Sequence, residues 1–302
     1  MSEKFHVGQG SYDGYGVTVF PVWLESQPLE GFCWKSSHIA VGENAEGASV
    51  NNLTVTNTGH RPHIFLEGDI FEGGRQNRVL TRSLVLARGE EREVPVACVE
   101  EGRWHGTGDH RGGRRRAPMS VRYDMTNTMS RMNVADVQAA DAGTHVQSDV
   151  WNRIRQHEST RGAVEGHSLT ESMDQADRAR NMGTRIKPPT VLPGQRGVLI
   201  GIGGHIVAAE FFGNSEGLQS RWDGIISAAH YEAMEAPARR TASWKARDFA
   251  ASLELTPIGE DFPKPEEFRT PVGPLAISSF ALGYGLIHAA VFNGAHPLLA
   301  EV

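Results

Sequence analysis

The chain reads as an α+β protein. An N-terminal antiparallel β-sandwich or barrel-like sheet is followed by helices and then by a smaller β-β-α-α-β-β unit. Three observations predict this. Between about residues 17 and 104, six or seven short Val- and Leu-rich runs are separated by Gly- and Asn-bearing turns. Over residues 136–157 the period changes, and Val146, Val150 and Ile154 recur every four residues beside Trp151. After Gly197, two hairpin-like segments flank two helical ones. The expected division is a β-rich domain at 1–135, a helical connection at 136–190 and an α+β domain at 191–302.

Taken in order, residues 1–16 are glycine-rich and polar and read as a loose arm or early turn. Residues 17–24 (VTVFPVWL) are strand-like, and Pro21, which cannot donate to a ladder, implies an edge position or a bend. Short elements follow at 31–34 and 37–41. Residues 50–56 alternate, with Leu53 and Val55 apolar and Asn52, Thr54 and Thr56 polar, before the turn Asn57-Thr58-Gly59. Residues 64–66, 79–86 and 94–99 are three further strand runs, the first two joined through Gly73-Gly74.

Residues 105–118 (HGTGDHRGGRRRAP) read as a loop, and residues 119–133 as a connection or strand. In the helix that follows, Gln147 and Trp151 lie one turn apart. Ser168-Leu169-Thr170-Glu171 is a capping-box pattern that opens a second helix with Leu169, Met173 and Ala176 on one stripe. Lys187-Pro188-Pro189-Thr190 reads as an inter-domain connection. Residues 197–202 and 205–212 form a hairpin around Gly203-Gly204. These glycines do not make a dinucleotide fingerprint, because the third position is Ile206 and no helix starts there. Glu210 reads either as a carboxylate reaching a site or as a solvated edge residue. Asn214 or Ser215 caps the clearest helix, with Leu218, Trp222, Ile225, Ile226, Ala229 and Ala233 at helical spacing. Trp244 and Phe249 mark another helix, residues 257–274 a proline-punctuated loop, and residues 275–281 and 286–292 a last hairpin that contains a structural His288.

Composition narrows the function. A formal net charge of −6 argues against a general nucleic-acid or acidic-membrane binder. No run approaches the roughly 20 apolar residues of a membrane helix. The two cysteines, Cys33 and Cys98, and a polar start are expected of a reduced cytoplasmic protein. The sequence specifies no cofactor, and a homo-oligomer is compatible with it.

The chemistry concentrates in residues 64–104. Gly73 and Gly74 permit positive φ and exposed amides, and Arg75, Gln76 and Arg78 follow directly, a pattern that suits a phosphate or carboxylate. A solvated hairpin with surface arginines fits the same pattern. In an extended strand Cys98 and Glu100 share a face, but a nearby carboxylate raises a thiol pKa, so Cys98 reads as a small buried residue. Glu100 and Arg103 either pair or hold a polar ligand. Trp104 and Trp151 either stack on a base or pack. His105, Asp109 and His110 allow a metal reading, although their spacing matches no known motif.

The motifs Leu66-Glu67-Gly68-Asp69, Gly73-Gly74-Arg75-Gln76-Asn77-Arg78 and Pro95-Val96-Ala97-Cys98-Val99-Glu100-Glu101-Gly102-Arg103-Trp104 together resemble the ARG and rhodanese-phosphatase-superfamily-associated protein domain. The ARG of that name is ADP-ribosylglycohydrolase. The resemblance extends to residues 198–213 and so covers most of the chain. It implies an association with ADP-ribose and NAD metabolism drawn from genomic company, and it names no catalytic residue. The leading expectation is therefore binding or processing of an ADP-ribose-like or other phosphorylated small molecule. Gly73, Gly74, Arg75 and Arg78 would hold phosphate, Gln76, Glu100 and Arg103 would hold sugar or base, and Trp104 or Trp151 would stack. Glu100 or Glu67 would serve as a general base. The alternatives are a non-catalytic structural or interaction protein and a metal-dependent enzyme.

Overall fold

The computed structural model describes residues 4–43, 49–103, 106, 109–132, 140–183, 189–253, 262–283 and 285–300. The fold is α+β, with a closed six-stranded barrel in the N-terminal part and helices after it. In chain order the strands before the helices are β1 (Phe5–Val7), β2 (Ser11–Tyr12), β3 (Val17–Leu24), β4 (Ile39–Gly42), β5 (Asn52–Asn57), β6 (His63–Phe65), β7 (Asp69–Gly73), β8 (Arg78–Leu80), β9 (Leu84–Leu86), β10 (Glu91–Cys98) and β11 (His110–Arg116). Next come α1 (Met119–Arg131), α2 (Ala140–Arg161), α3 (Leu169–Gly183), β12 (Gly197–Ile202), β13 (His205–Phe212), α4 (Ser215–Ala233), α5 (Ser243–Ala251), β14 (Phe262–Val272), β15 (Leu275–Gly283) and β16 (Gly285–Asn293).

Packing divides the chain into two units, residues 31–178 and residues 1–30 with 179–302. The linear division expected at 135 and 190 follows element type instead. In the first unit the barrel closes in the order β10-β5-β4-β11-β7-β8, with β6 and β9 paired beside it. Val41, Leu53, Val55, Phe71, Leu80, Val94 and Val96 form its apolar core. Side chains of that size contribute about 1.5–3 kcal/mol each when fully buried. The residues expected to be a loop at 105–118 include β11, whose sequence HRGGRRR carries no apolar pattern but pairs with β4 and β7. The strand facing β8 across Gly73-Gly74 is β7, not the run at 64–66, which pairs with β9. Residues 119–131, expected to be a connection or strand, are helical, with Val121, Met125 and Met129 buried at four-residue spacing.

Two buried ion pairs mark one end of the barrel. Arg116 Nη1 donates to Asp69 Oδ1 at 2.7 Å, and Arg122 Nη2 to Glu67 Oε2 at 3.2 Å. In both pairs each side chain is almost wholly buried, so the charges depend on each other for solvation.

In the second unit an eight-stranded sheet runs β1-β3-β12-β13-β16-β15-β14, with β2 also on β3. The segment at 17–24 thus belongs to this sheet and not to the barrel: Val17 to Val22 pair with Ile202 to Gly197. Within residues 4–16, expected to be a loose arm or early turn, β1 and β2 both add to β3. Pro21 sits opposite the break between those two short strands, where its carbonyl accepts from Gly8 N–H at 2.8 Å. The Gly203-Gly204 hairpin forms as its spacing predicts, with both glycines at positive φ. The proline-punctuated stretch expected to be a loop forms β14 over Phe262–Val272 at the sheet edge, the place in a sheet that tolerates proline. Glu210 is neither solvated nor at an edge: it lies in β13 and pairs at 2.9 Å with His288 of the neighbouring β16. Asn214 caps α4, its side chain accepting from Gly217 N–H. Ala246, Ala250 and Leu253, on and just after α5, pack on Phe20, Leu199, Phe211 and Val291.

His230 of α4 lies 3.6 Å from Asp13, a carboxylate that also pairs with Arg180. Burial, and then the charge of Arg180, hold its pKa down to about 4, with Asp13 opposing. A folded-state pKa below the unfolded one stabilises above the unfolded value, and that stability is lost as pH falls through the folded value. From pH 6.5 to about 4 this group alone should cost about 3 kcal/mol. Urea denaturation between pH 7 and 4 should show His230→Asn losing less stability than the parent over that window. Equal slopes would show that His230 does not carry the effect.

Candidate functional site

The barrel strands alternate in direction. One mouth therefore gathers the ends of β4, β7 and β10 and the starts of β5, β8 and β11. Strand alternation carries the lumen columns out to that mouth: Val41 leads to Glu43, Phe71 to Gly73, Leu80 back to Arg78, and Val96 to Cys98. His110 stands opposite both Val41 and Gly73. The lumen is thus apolar along its length and polar at this end, where Arg78 and Cys98 are fully buried and His110 nearly so. Burial pulls the Arg78 guanidinium below its ordinary pKa range, with Cys98, Glu43 and Glu100 pulling the other way. Burial also lowers the His110 pKa, against the pull of Glu43.

The Gly73-Gly74 turn is tightly built. Gly73 has φ +116° and Gly74 φ +51°, and a Cβ on Gly74 would stand 2.1 Å from His110 Nε2. Three of the local amides are already engaged. Gly73 N–H donates to Asn77 Oδ1 (2.7 Å), Arg75 N–H to Glu43 Oε1 (3.2 Å) and Asn77 N–H to Glu100 Oε2 (2.7 Å). Two of these acceptors are carboxylates, so the turn is an anion nest filled from within the protein.

Arg103 joins the turn to the strand end. Its Nε donates to Glu100 Oε2 at 2.8 Å, and its terminal nitrogens reach the Gly73 carbonyl at 3.4 Å and the Gly74 carbonyl at 3.5 Å. The other Glu100 oxygen accepts from Ser168 Oγ at 2.8 Å, and Asn77 Nδ2 donates to Thr170 Oγ1 at 2.7 Å. Ser168 also accepts from Glu171 N–H at 3.3 Å, which is one half of the expected capping box. Gln76 Nε2 donates to the Glu100 carbonyl at 2.7 Å, while its Oε1 is buried with no partner among the described residues.

Cys98 is held from the helix side. Gln147 Oε1 accepts from the Cys98 N–H at 2.6 Å and Gln147 Nε2 donates to its carbonyl at 2.9 Å. The thiol donates to the Glu100 carbonyl at 3.0 Å, and the Trp151 indole lies toward the sulfur without hydrogen-bond geometry. Burial raises the Cys98 pKa, against the pull of the Glu100 backbone and the Arg78 charge.

The structure therefore brings Gly73, Gly74, Arg75, Gln76, Arg78, Glu100 and Arg103 to one mouth, with Trp151 next to Cys98. Glu67 is not among them. It belongs to the opposite end, beyond β7, whose five residues span about 13 Å between terminal Cα atoms. Trp104 and His105 lie outside the described residues. Among the described residues no three His, Cys, Asp or Glu side chains are grouped to hold a metal ion. His110, one candidate of that reading, instead meets Glu43 at 3.4 Å. Sequence reasoning missed Glu43, although continuing the Val41 alternation by two residues points to it.

A family model for the ARG and Rhodanese-Phosphatase-superfamily-associated Protein domain matches residues 5–292. The chain belongs to this family. The match to the ARG and Rhodanese-Phosphatase-superfamily-associated Protein domain takes in both the barrel and the eight-stranded sheet, and the name points to an ADP-ribose or phosphatase context without specifying a reaction. No curated protein and no solved structure matches the chain. Among the described residues no helix is long and apolar enough to cross a membrane.

The raised Cys98 pKa carries a consequence for reactivity. A protonated thiol contributes stability below its unfolded pKa, and that contribution is lost as pH rises through the folded value. Iodoacetamide at pH 7.5 should alkylate the part-exposed Cys33 and spare buried Cys98, while denatured protein takes up label at both. Label on Cys98 in the native protein, located by peptide mass spectrometry, would contradict this.

Proposed function

We propose that the polar mouth of the barrel binds a phosphorylated small molecule of the ADP-ribose type. The observation that carries this is the position of Arg103, which bridges Glu100 to both glycine carbonyls. It brings the turn and the strand end to one place, where the Arg75 backbone N–H meets Glu43 and the charges of Arg78 and Arg103 lie near Glu43 and Glu100. Arg103, with a side chain 30% exposed, and the exposed Arg75 meet phosphate oxygens, while buried Arg78 adds positive potential from below. Gly73 and Gly74 shape the turn on which these groups sit. Gln76 offers Oε1 to a hydroxyl or amine of the ligand. Trp104, which follows Arg103, and Trp151 are the proposed stacking groups. The ligand class rests on the family name.

Glu100 has a structural part in this reading. Both of its oxygens are committed, so it positions Arg103, and a role as general base would require Arg103 to leave it. Glu67, paired with Arg122 at the other end, stands outside the site. A second reading, a non-catalytic structural protein, is favoured by the occupied amides of the turn.

Titration calorimetry separates the two. ADP-ribose should bind the parent protein, more weakly as salt rises, and Arg103→Ala should weaken it by about tenfold or more, the scale of a charge-assisted contact. Under the structural reading the parent gives no heat, and Arg103→Ala lowers only the melting temperature.

A further inference from the structure

We infer that Glu43 fills, with its own carboxylate, an oxyanion subsite of the barrel mouth, and that a phosphoryl group of a ligand takes its place there. This rests on the reading of the mouth as a site for a phosphorylated molecule and names the part of it that receives the phosphoryl group.

Glu43 stands two residues beyond Val41, a core residue of the barrel, and so on the lumen side of the strand end. Its Oε1 accepts the Arg75 N–H at 3.2 Å and meets His110 Nε2 at 3.4 Å. Its Oε2 is buried and has no partner among the described residues. Glu100 provides the contrast on the same turn, since both of its oxygens accept hydrogen bonds of 2.7–2.8 Å. Glu43 is thus the loosely held of two carboxylates in one nest. A backbone N–H, an imidazole that donates in its Nε2–H tautomer and the nearby positive charge of Arg78 form the surroundings of a bound oxyanion.

A carboxylate is an incomplete occupant here, because one oxygen is desolvated and has no partner among the described residues, at a cost in free energy. A phosphoryl group carries more charge and more acceptor oxygens, and Arg103 already lies on the same turn, against the Gly73 and Gly74 carbonyls. Leaving is also feasible for Glu43. Its side chain is 19% exposed and it follows the end of β4, so rotation about its side-chain bonds frees the subsite without breaking the strand ladder.

The test is calorimetry with ADP-ribose and with inorganic pyrophosphate on the parent protein, Glu43→Ala and Glu43→Gln at one ionic strength. If Glu43 occupies the subsite in about nine molecules of ten, its removal tightens apparent binding about tenfold. Glu43→Gln should tighten less, because its amide oxygen can still accept from Arg75 N–H, and it decides the matter if the alanine variant does not fold. The same gain with pyrophosphate assigns the subsite to the phosphoryl group rather than to sugar or base. Equal or weaker binding by both variants, with the parent binding, overturns this inference and leaves the proposed function standing. No binding by the parent or by either variant removes both.

Discussion

The mouth of the barrel depends on one carboxylate. Glu100 takes the Asn77 N–H from the turn after β7, the Arg103 guanidinium from beyond its own strand and the Ser168 hydroxyl from the cap of α3. Three chain segments that are distant in sequence are thereby fixed around a single charged group. Because Glu100 is buried, each of these donors replaces water that the carboxylate has lost, and removing any one leaves part of its desolvation uncompensated. Arg103 is the only one of the three donors that carries a charge, and it is also part-exposed, so one side chain both completes the buried network and presents a cation to solvent.

The barrel shows how a small closed sheet can hold a polar end without losing its core. Apolar side chains of five barrel strands form one core, and buried charged groups gather at both ends. At one end the charges are paired one to one, Arg116 with Asp69 and Arg122 with Glu67. At the other the pairing is uneven, with a loosely held Glu43 and a Gln76 oxygen that has no partner among the described residues, beside the buried guanidinium of Arg78. Satisfied buried networks make structure. Uneven ones are where a ligand gains most, because each contact that it supplies has already been desolvated.

Local patterns in the chain were legible and distant pairings were not. The alternation of Leu53 and Val55, the glycines at 203 and 204 and the helical spacing from Leu218 to Ala233 each specify an element from neighbouring residues alone. The strand HRGGRRR has no apolar alternation because its stability comes from ladder bonds to β4 and β7. Prolines disguised β14, since an edge strand tolerates missing donors. That residues 17–22 pair with 197–202 is a contact across most of the chain, which no local window contains. The site divides in the same way. Glu100 and Arg103 are three residues apart and pair as their spacing suggests, whereas Glu43 meets a turn some thirty residues away, and only strand alternation hints at it.

The central claim is that the Gly73-Gly74 turn and the Glu100–Arg103 strand end form one oxyanion site. A crystal structure of the protein soaked with tungstate, a heavy phosphate analogue, tests it most directly. The account predicts an anomalous peak within hydrogen-bond distance of the Arg75 N–H and the Arg103 guanidinium, with the Glu43 side chain turned away. Peaks confined to other surfaces, with Glu43 still on the Arg75 amide at saturating tungstate, would contradict it.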